Sequence, residues 1–543
     1  MKEYLFCAFA YNNHDSSVSF GVGKKVVLVL EAERIFRKKK KGCNPEEMED
    51  LINEGLKYLG KKAKDVSYWA MATLNNLSLT KSDIIDLQTG RPKEPYWKEI
   101  CIIGLKRNIL IINHHLSHAA TYLLSPFEHA IITTCDGGGD HDPKIGVGEC
   151  FAAYRGDKDT IERHEIEIPN LITGKTYASA SAFIYNAKHC EGKLMALAAY
   201  GKLRKEYLYT VESIYRNLET VAYPVGEKLL DQAFPGLRGA ASEPIPDERA
   251  KDFCATLQSF FVARRLENTK QVVDKLYRKG DNFVLAGGTG LNLDLNTSIL
   301  NELPHMQHFI APCCDDTGQS LGALCILINK VLGVRPDVSL PYLGMGLAAT
   351  EYDYNTINKV IDVLLQNGVA ILHHGQAEIG PRALGNRSLI VRPDSLEVKR
   401  KLSETIKQRE GYRPLAPAVV EEGVEDYFVG PLKSPFMLYR YNIVESARGK
   451  IQGAIHYDNS ARAQTVNRQT NPFFYDLIEK FGDRTGIYAL LNTSLNLKGY
   501  PIANSIEDSL IIYDKIDGPK VLIYNGAIVK LSYSSGELCK NTI

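Results

Sequence analysis

At 543 residues the chain exceeds what one ordinary hydrophobic core organises, so two to four domains are expected. Its 65 lysines and arginines nearly cancel 64 aspartates and glutamates, which argues against a nonspecific polyanion binder while leaving room for a local basic groove. No apolar run has the length of a membrane span, polar residues interrupt the opening MKEYLFCAFAYNNHDSS too early for a signal peptide, and the 11 scattered cysteines form no CxxC pair, so a reducing cytoplasm fits better than a disulfide scaffold or a zinc ribbon.

The first elements read as strands. Tyr4 to Ala10 is apolar and β-prone; the polar turn Asn12-Asn13-His14-Asp15 follows; Ser17 to Phe20 and Val26 to Leu30 resume extended character. A helix is expected from Asn44, which can cap it, with Pro45 suited to the first turn, Glu46 and Glu47 at the positive end, and Met48, Leu51, Ile52, Leu56 and Leu59 on one stripe. Further strands are expected at Asn108 to Ile112, Ala130 to Thr134 and Phe283 to Ala286, and a helix over Gly318 to Leu332. Alternating strands and helices give an α/β architecture. The aperiodic stretch Gly333 to Tyr354 reads as a boundary, beyond which strands return near Val369 to His373, Leu389 to Val391 and Ile487 to Leu491. Adjacent Cys313 and Cys314 read as small buried residues.

Three groups of residues carry chemistry. In Asn113-His114-His115-Leu116-Ser117-His118, a helix would place His114 and His118 one turn apart on one face, able to share a metal ion. Asp136 and Asp316, each at a turn, can add carboxylates, and imidazole with carboxylate suits iron, manganese or zinc. The alternative is a surface helix carrying polar histidines. The turns Asp136-Gly137-Gly138-Gly139 and Gly287-Gly288-Thr289-Gly290 both follow predicted strands, where glycine lets backbone amides approach phosphate, although such turns also serve as plain bends. There is no Walker loop. The second half is densely cationic, with Arg382 in GPRALGNRS, then Lys407, Arg409 and Arg413, then Arg462 in ARAQTV, and Asn492 and Ser494 in LNTS. Lysine and arginine clamp phosphoryl oxygens, arginine bidentately. The run Arg37 to Lys41 reads as a solvated turn.

Taken together, Asn13-His14-Asp15-Ser16-Ser17, Glu33-Arg34, NHHLSHAA, CDGGGD, Glu191-Gly192-Lys193-Leu194-Met195, Gly287-Gly288, GPRALGNRS, the stretch Arg409 to Pro417, ARAQTV and LNTSLN resemble the NodU/CmcH/TobZ family of O-carbamoyltransferases almost end to end. The resemblance implies an actin-like, ASKHA-type carbamoyl-transfer domain over 1–345 and a YrdC-like domain forming carbamoyl adenylate over 352–543. It implies that carbamoyl phosphate is cleaved to carbamate, that carbamate attacks the α-phosphate of ATP (with Mg), and that the adenylate passes to the N-terminal domain, where an acceptor hydroxyl takes the carbamoyl group. Carried over by motif, Arg382, Lys407, Arg413, Arg462, Asn492 and Ser494 bind carbamoyl phosphate and ATP. Gly137, Gly138, Gly287, Gly288 and Asn292 cradle the nucleotide in the first domain. His114, His118, Asp136 and Asp316 hold iron or another divalent metal, and His14, with Lys39 close by, serves the acceptor as base or positioner.

The sequence departs from the family at three places. Asp315-Asp316 stands where glycine-aspartate is usual, and Asp316 is taken as the ligand; GGTGLNLDLN replaces the commoner GGVALN type; and Ser179 to Cys190 matches poorly, which points to acceptor choice. The acceptor is expected to be a hydroxylated small molecule, a sugar, or a nucleoside or modified base; a homodimer is compatible, and no membrane partner is expected. A threonylcarbamoyl transferase acting on tRNA uses the same pair of folds, but GPRALGNRS and ARAQTV belong to the O-carbamoyl group. A hydrogenase-maturation carbamoyltransferase would carry cysteine-rich zinc segments. An ATP-binding scaffold of the actin class would leave Lys407, Arg413, Arg462 and Ser494 unexplained.

Overall fold

The computed structural model describes residues 3–73, 93–142, 147–243, 246–348 and 351–533. It is a mixed α/β protein that divides into two compact units, Met1–Glu33 with Lys40–Ser339, and Arg34–Lys39 with Leu340–Ile543. Among the described residues no helix is long and apolar enough to cross a membrane.

The first unit is built on two sheets. In the first, the hairpin strands Lys25–Glu31 and Ser17–Val22 lead to Leu5–Tyr11, which pairs in parallel with Val66–Thr73, followed by Leu105–Ile112 and the edge strand Tyr96–Ile102. Leu5–Tyr11 is buried along its whole length, as a central strand covered on both faces must be. The second sheet runs Thr160–His164, Phe151–Asp157, His129–Cys135, Asn282–Ala286, His308–Phe309. Sequence expectation and structure agree on the helix Pro45–Tyr58: Asn44 Oδ1 accepts from the Glu47 amide at 2.8 Å, Glu47 Oε2 accepts from the Asn44 amide at 2.9 Å, and Met48, Leu51, Ile52 and Leu56 are buried.

The expected helix at Gly318 begins one residue later, as Gln319–Leu332, because Asp316–Gly318 forms a 3₁₀ turn that leads into it. This helix packs on Leu5–Tyr11 and on the short helix His114–Ala119. The close approach depends on Gly322, where an added Cβ would lie 1.8 Å from the Ser117 carbonyl oxygen. Cys313 and Cys314 are fully buried beside the turn, as small core residues.

The second unit has one large sheet in the order Gln464–Val466, Ala416–Val420, Ala489–Ser494, Arg387–Val391, Val369–His373, Lys520–Tyr524, Ala527–Ser532, and a small three-stranded sheet. The strand expected at Ile487 starts at Ala489 and runs on through Ser494, so the LNTS motif is itself strand. Arg387, within GPRALGNRS, is fully buried and spends its guanidinium on the carbonyls of His374, Gly375, Asn386 and Met345. Its role is to hold loops rather than to face a ligand.

Overpacking a close contact usually costs about 1–3 kcal/mol, so Gly322→Ala should lower unfolding free energy by that amount. Urea denaturation measures it; a variant as stable as the parent would show that the helix reseats without strain.

Candidate functional site

In the first unit, strand Leu105–Ile112 delivers Asn113, whose Oδ1 accepts from the amides of His115 and Leu116 at 3.0 and 3.3 Å and so starts the helix His114–Ala119. Asp140 accepts from the His114 amide at 2.7 Å, placing negative charge at the helix N-terminus. The surface-helix alternative is overturned: His114 and His118 are each 1% exposed, with ring centroids 4.7 Å apart. His115 is structural, its two ring nitrogens paired with Thr134 Oγ1 and the Glu149 carbonyl.

Asp136 follows strand His129–Cys135 and joins the two glycine turns. Its Oδ1 is 2.6 Å from the Gly137 amide, and its Oδ2 is 2.7 Å from the Gly288 amide and 3.4 Å from His118 Nε2. Asp316 Oδ1 lies 3.2 Å from His118 Nε2 and 3.8 Å from His114 Nε2. One ligand atom from each of His114, His118, Asp136 and Asp316 falls within 4.8 Å of the others.

The charge state suits a cation. Burial and the neighbouring His118 and His115 push the His114 imidazole well below its ordinary value, leaving it neutral. Burial opposes ionisation of both aspartates, yet His118 and the other nearby histidines hold each below the usual carboxylate range. Burial also works against a charged His118, but Asp136 and Asp316 outweigh it and lift the ring to about 9, with the ring proton occupying the place a metal would take. Buried neutral imidazole and ionised carboxylates are the donor set that iron, manganese or zinc requires.

His14 sits beside this cluster, its Nδ1 3.1 Å from Asp15 Oδ2 and 3.6 Å from Asp316 Oδ2. Burial disfavours its charge, but Asp15 and Asp316 lift it to about 9. Lys40 Nζ approaches Asp15 at 2.7 Å and Asp315 at 4.0 Å, so Asp315 faces Lys40 and Asp316 faces the histidines. Lys39 belongs to the second unit, where it is close enough to depress Lys407. The run Arg37 to Lys41 is exposed at Lys38 and Lys39, while its ends are paired: Arg37 with Asp508 at 3.1 Å, and Lys41 with Glu47 at 2.6 Å. Exposed His189, from the segment Ser179 to Cys190, stands edge-on to His14 with ring centroids 5.4 Å apart.

The glycines divide by role. Gly287 has φ +87°, and a Cβ there would lie 2.2 Å from the Cys135 carbonyl oxygen, so it lets the turn close on the neighbouring strand. Gly288 offers its amide to Asp136, and a Cβ on Gly138 would meet open space. Asn292 caps the helix Leu293–Glu302 and pairs with Gln258.

In the second unit three motifs are stitched together. Asn492 Nδ2 donates to the Ala383 carbonyl at 3.1 Å and to Gln464 Oε1 at 2.8 Å, and Gln464 Nε2 donates to the Leu384 carbonyl at 2.8 Å. Lys407 Nζ donates to the carbonyls of Ser494 and Asn496 at 2.6 and 2.8 Å, and also reaches Ser494 Oγ at 3.2 Å and Asn496 Oδ1. Around them the charges are of one sign. Burial, then Arg409, Lys39 and Arg413, push Lys407 well below its ordinary value. Burial, then Arg382, Arg409 and Arg413, do the same to Arg462, and Arg409 is pushed down to about 9 by burial and Arg413. Arg409 Nε and Nη2, Arg462 Nε and Asn492 Oδ1 are buried without hydrogen-bond partners among the described residues. Glu410 supplies a counter-charge 3.7 Å from Arg413. Such a cluster is unfinished without an anion.

Asn496, Lys40, Asp15 and Gln319 were not singled out as site residues by sequence, and Arg409 was read only as one of the cationic set. Gln319 had a usable signal, since it lies three residues after Asp316 at a helix start, where both reach one face.

If Arg462 is held under like-charge strain, Arg462→Met should stabilise the ligand-free protein by about 0.5–2 kcal/mol, the usual gain from relieving a functional site. Pyrophosphate should raise the parent's melting temperature and leave the variant's nearly unchanged. A variant less stable than the parent, with an intact pyrophosphate response, would make Arg462 structural.

Comparison with known proteins bears on both units. The family described as carbamoyltransferase N-terminus matches residues 69–325, and that described as carbamoyltransferase C-terminus matches residues 361–530. An uncharacterized protein of Methanocaldococcus jannaschii is 28% identical, covering 96% of this chain and 99% of that protein. The nodulation protein NolO of Bradyrhizobium diazoefficiens is 31% identical over 74% of this chain and 76% of its own length. The 3'-hydroxymethylcephem-O-carbamoyltransferase of Amycolatopsis lactamdurans is 30% identical over 59% of this chain and 61% of its own length. The chain belongs to the NodU/CmcH family of carbamoyltransferases and is an enzyme of that class.

Proposed function

We propose that the protein is an ATP-dependent O-carbamoyltransferase that makes carbamoyl adenylate in its second unit and transfers the carbamoyl group to a hydroxyl in its first. The observation that carries this reading is the one-signed cluster of Lys407, Arg382, Arg409, Arg413 and Arg462, held by motifs that the family shares. Water cleaves carbamoyl phosphate to carbamate and phosphate. A carbamate oxygen then attacks the α-phosphorus of ATP, supplied with Mg, and pyrophosphate leaves. The guanidinium groups spread the charge of the entering and departing phosphates, and Lys407, whose ammonium is taken up by Ser494 and Asn496, fixes the end of the LNTS strand beside them. Forming the adenylate replaces a poor leaving group with AMP.

The strand order of the first unit supports the ASKHA-type reading, and we assign a YrdC-like fold to the second. His114, His118, Asp136 and Asp316 would hold a metal, iron by family resemblance, whose charge would favour the adenylate phosphate. His14 handles the acceptor: its imidazole, oriented by Asp15, contacts the attacking hydroxyl and takes up its proton as the carbamoyl–oxygen bond forms and AMP departs. Asp15, then Asp316, favour the protonated ring, which is the state His14 reaches once it has taken up the hydroxyl proton. The name of the cephem relative, and exposed His189 beside His14, support a small-molecule hydroxyl acceptor; a sugar or a nucleoside is also within this chemistry.

Carbamoyl-phosphate-dependent pyrophosphate release from ATP tests the first half. Lys407→Ala and Arg413→Ala should each lower it by on the order of a hundredfold. Full release by both would place the reaction elsewhere.

His14→Asn tests the second half. It should fold and release pyrophosphate normally, yet transfer carbamoyl to acceptor about a hundred- to ten-thousandfold more slowly. Transfer at the parent rate would remove His14 from the mechanism.

A further inference from the structure

Gln319 opens the helix Gln319–Leu332, and its side chain is fully buried. Its amide nitrogen lies 2.6 Å from His114 Nδ1, 2.9 Å from Asp316 Oδ1 and 3.3 Å from His118 Nε2. A neutral donor therefore stands among three of the four groups assigned to the metal. The amide oxygen faces the other way and accepts from Asn12 Nδ2 at 3.4 Å.

Asn12 is also fully buried, and its Oδ1 has no hydrogen-bond partner among the described residues. A buried polar atom left unpaired costs about 1–3 kcal/mol, so that end of the Asn12 amide is not held in its present orientation. Turning both terminal amides by half a revolution keeps the hydrogen bond between them and reverses its polarity. Gln319 Nε2 then donates to Asn12 Oδ1, and Gln319 Oε1 faces His114, His118 and Asp316. An amide oxygen beside a bare carboxylate is unfavourable. Beside a cation that the same carboxylate also binds, it is an ordinary ligand.

We propose that the Gln319 side-chain oxygen is a further ligand of the metal held by His114, His118, Asp136 and Asp316, and that the Asn12 amide reverses with it. The inference rests on the metal reading of that cluster. Gly322 serves it indirectly, because the close approach it allows to Ser117 brings the first turn of this helix against His118.

Co(II) is the probe, because its visible absorption reports coordination number independently of turnover. Metal-stripped full-length protein is titrated with Co(II), and folding of each variant is checked by circular dichroism. Gln319→Ala should weaken Co(II) binding by about 10- to 100-fold and change the absorption to that of a lower-coordinate ion. Gln319→Glu keeps an oxygen in place and should restore both affinity and spectrum. Gln319→Met fills the same space without an oxygen and carries the test if the alanine variant does not fold. Binding as tight as the parent's, with the parent's spectrum, in the folded Ala or Met variant would overturn the Gln319 assignment alone. A parent that takes up no Co(II) would overturn the metal reading and this inference with it.

Discussion

The first unit depends on one carboxylate. Asp136 accepts from the amides of Gly137 and Gly288 and also faces His118, so a single side chain fixes two loops and one wall of the histidine cluster. The strands His129–Cys135 and Asn282–Ala286 pair in parallel and end side by side, which is why their following turns can share it. Moving either strand end would displace a candidate ligand and a candidate phosphate loop together. Both glycine turns are thus parts of one construction.

The two units are electrostatic opposites. In the first, carboxylates crowd around a neutral His114 and a protonated His118, a donor set that suits a cation. In the second, guanidinium and ammonium groups crowd together near Glu410, a set that suits an anion. The second stores unfavourable like charge that an anion would relieve, whereas in the first the carboxylates are balanced by protonated imidazoles.

Much of this was legible in the sequence, and the limits have physical causes. Periodicity and capping gave the helix from Asn44, and short apolar, β-prone runs gave the central strands, because those patterns are local. The His114–His118 pair was readable as one helix face, whereas its burial was not, since that comes from packing by the distant helix Gln319–Leu332. Lys40 could not be told from Lys39 by sequence: adjacent residues on an irregular segment diverge, and here they fall into different units. Arg387 and Arg409 look equivalent in their motifs. The difference is in the terminal nitrogens: both of Arg387's donate to loop carbonyls, whereas Nη2 of Arg409 has no partner among the described residues.

The second unit also includes six residues, Arg34–Lys39, that the ribosome makes long before the rest of it. Arg34 donates to the carbonyls of Glu378 and Gly380 at 2.6 and 2.7 Å, and Arg37 donates to the Ile502 carbonyl at 2.7 Å. During synthesis these guanidinium groups emerge without their acceptors and have to wait for the C-terminal sequence. A gene cut at the apparent boundary would therefore yield neither half intact. The downstream product would lack a strap whose charged hydrogen bonds are worth about 1.5–3 kcal/mol each, and the upstream product would carry that strap with nothing to close on.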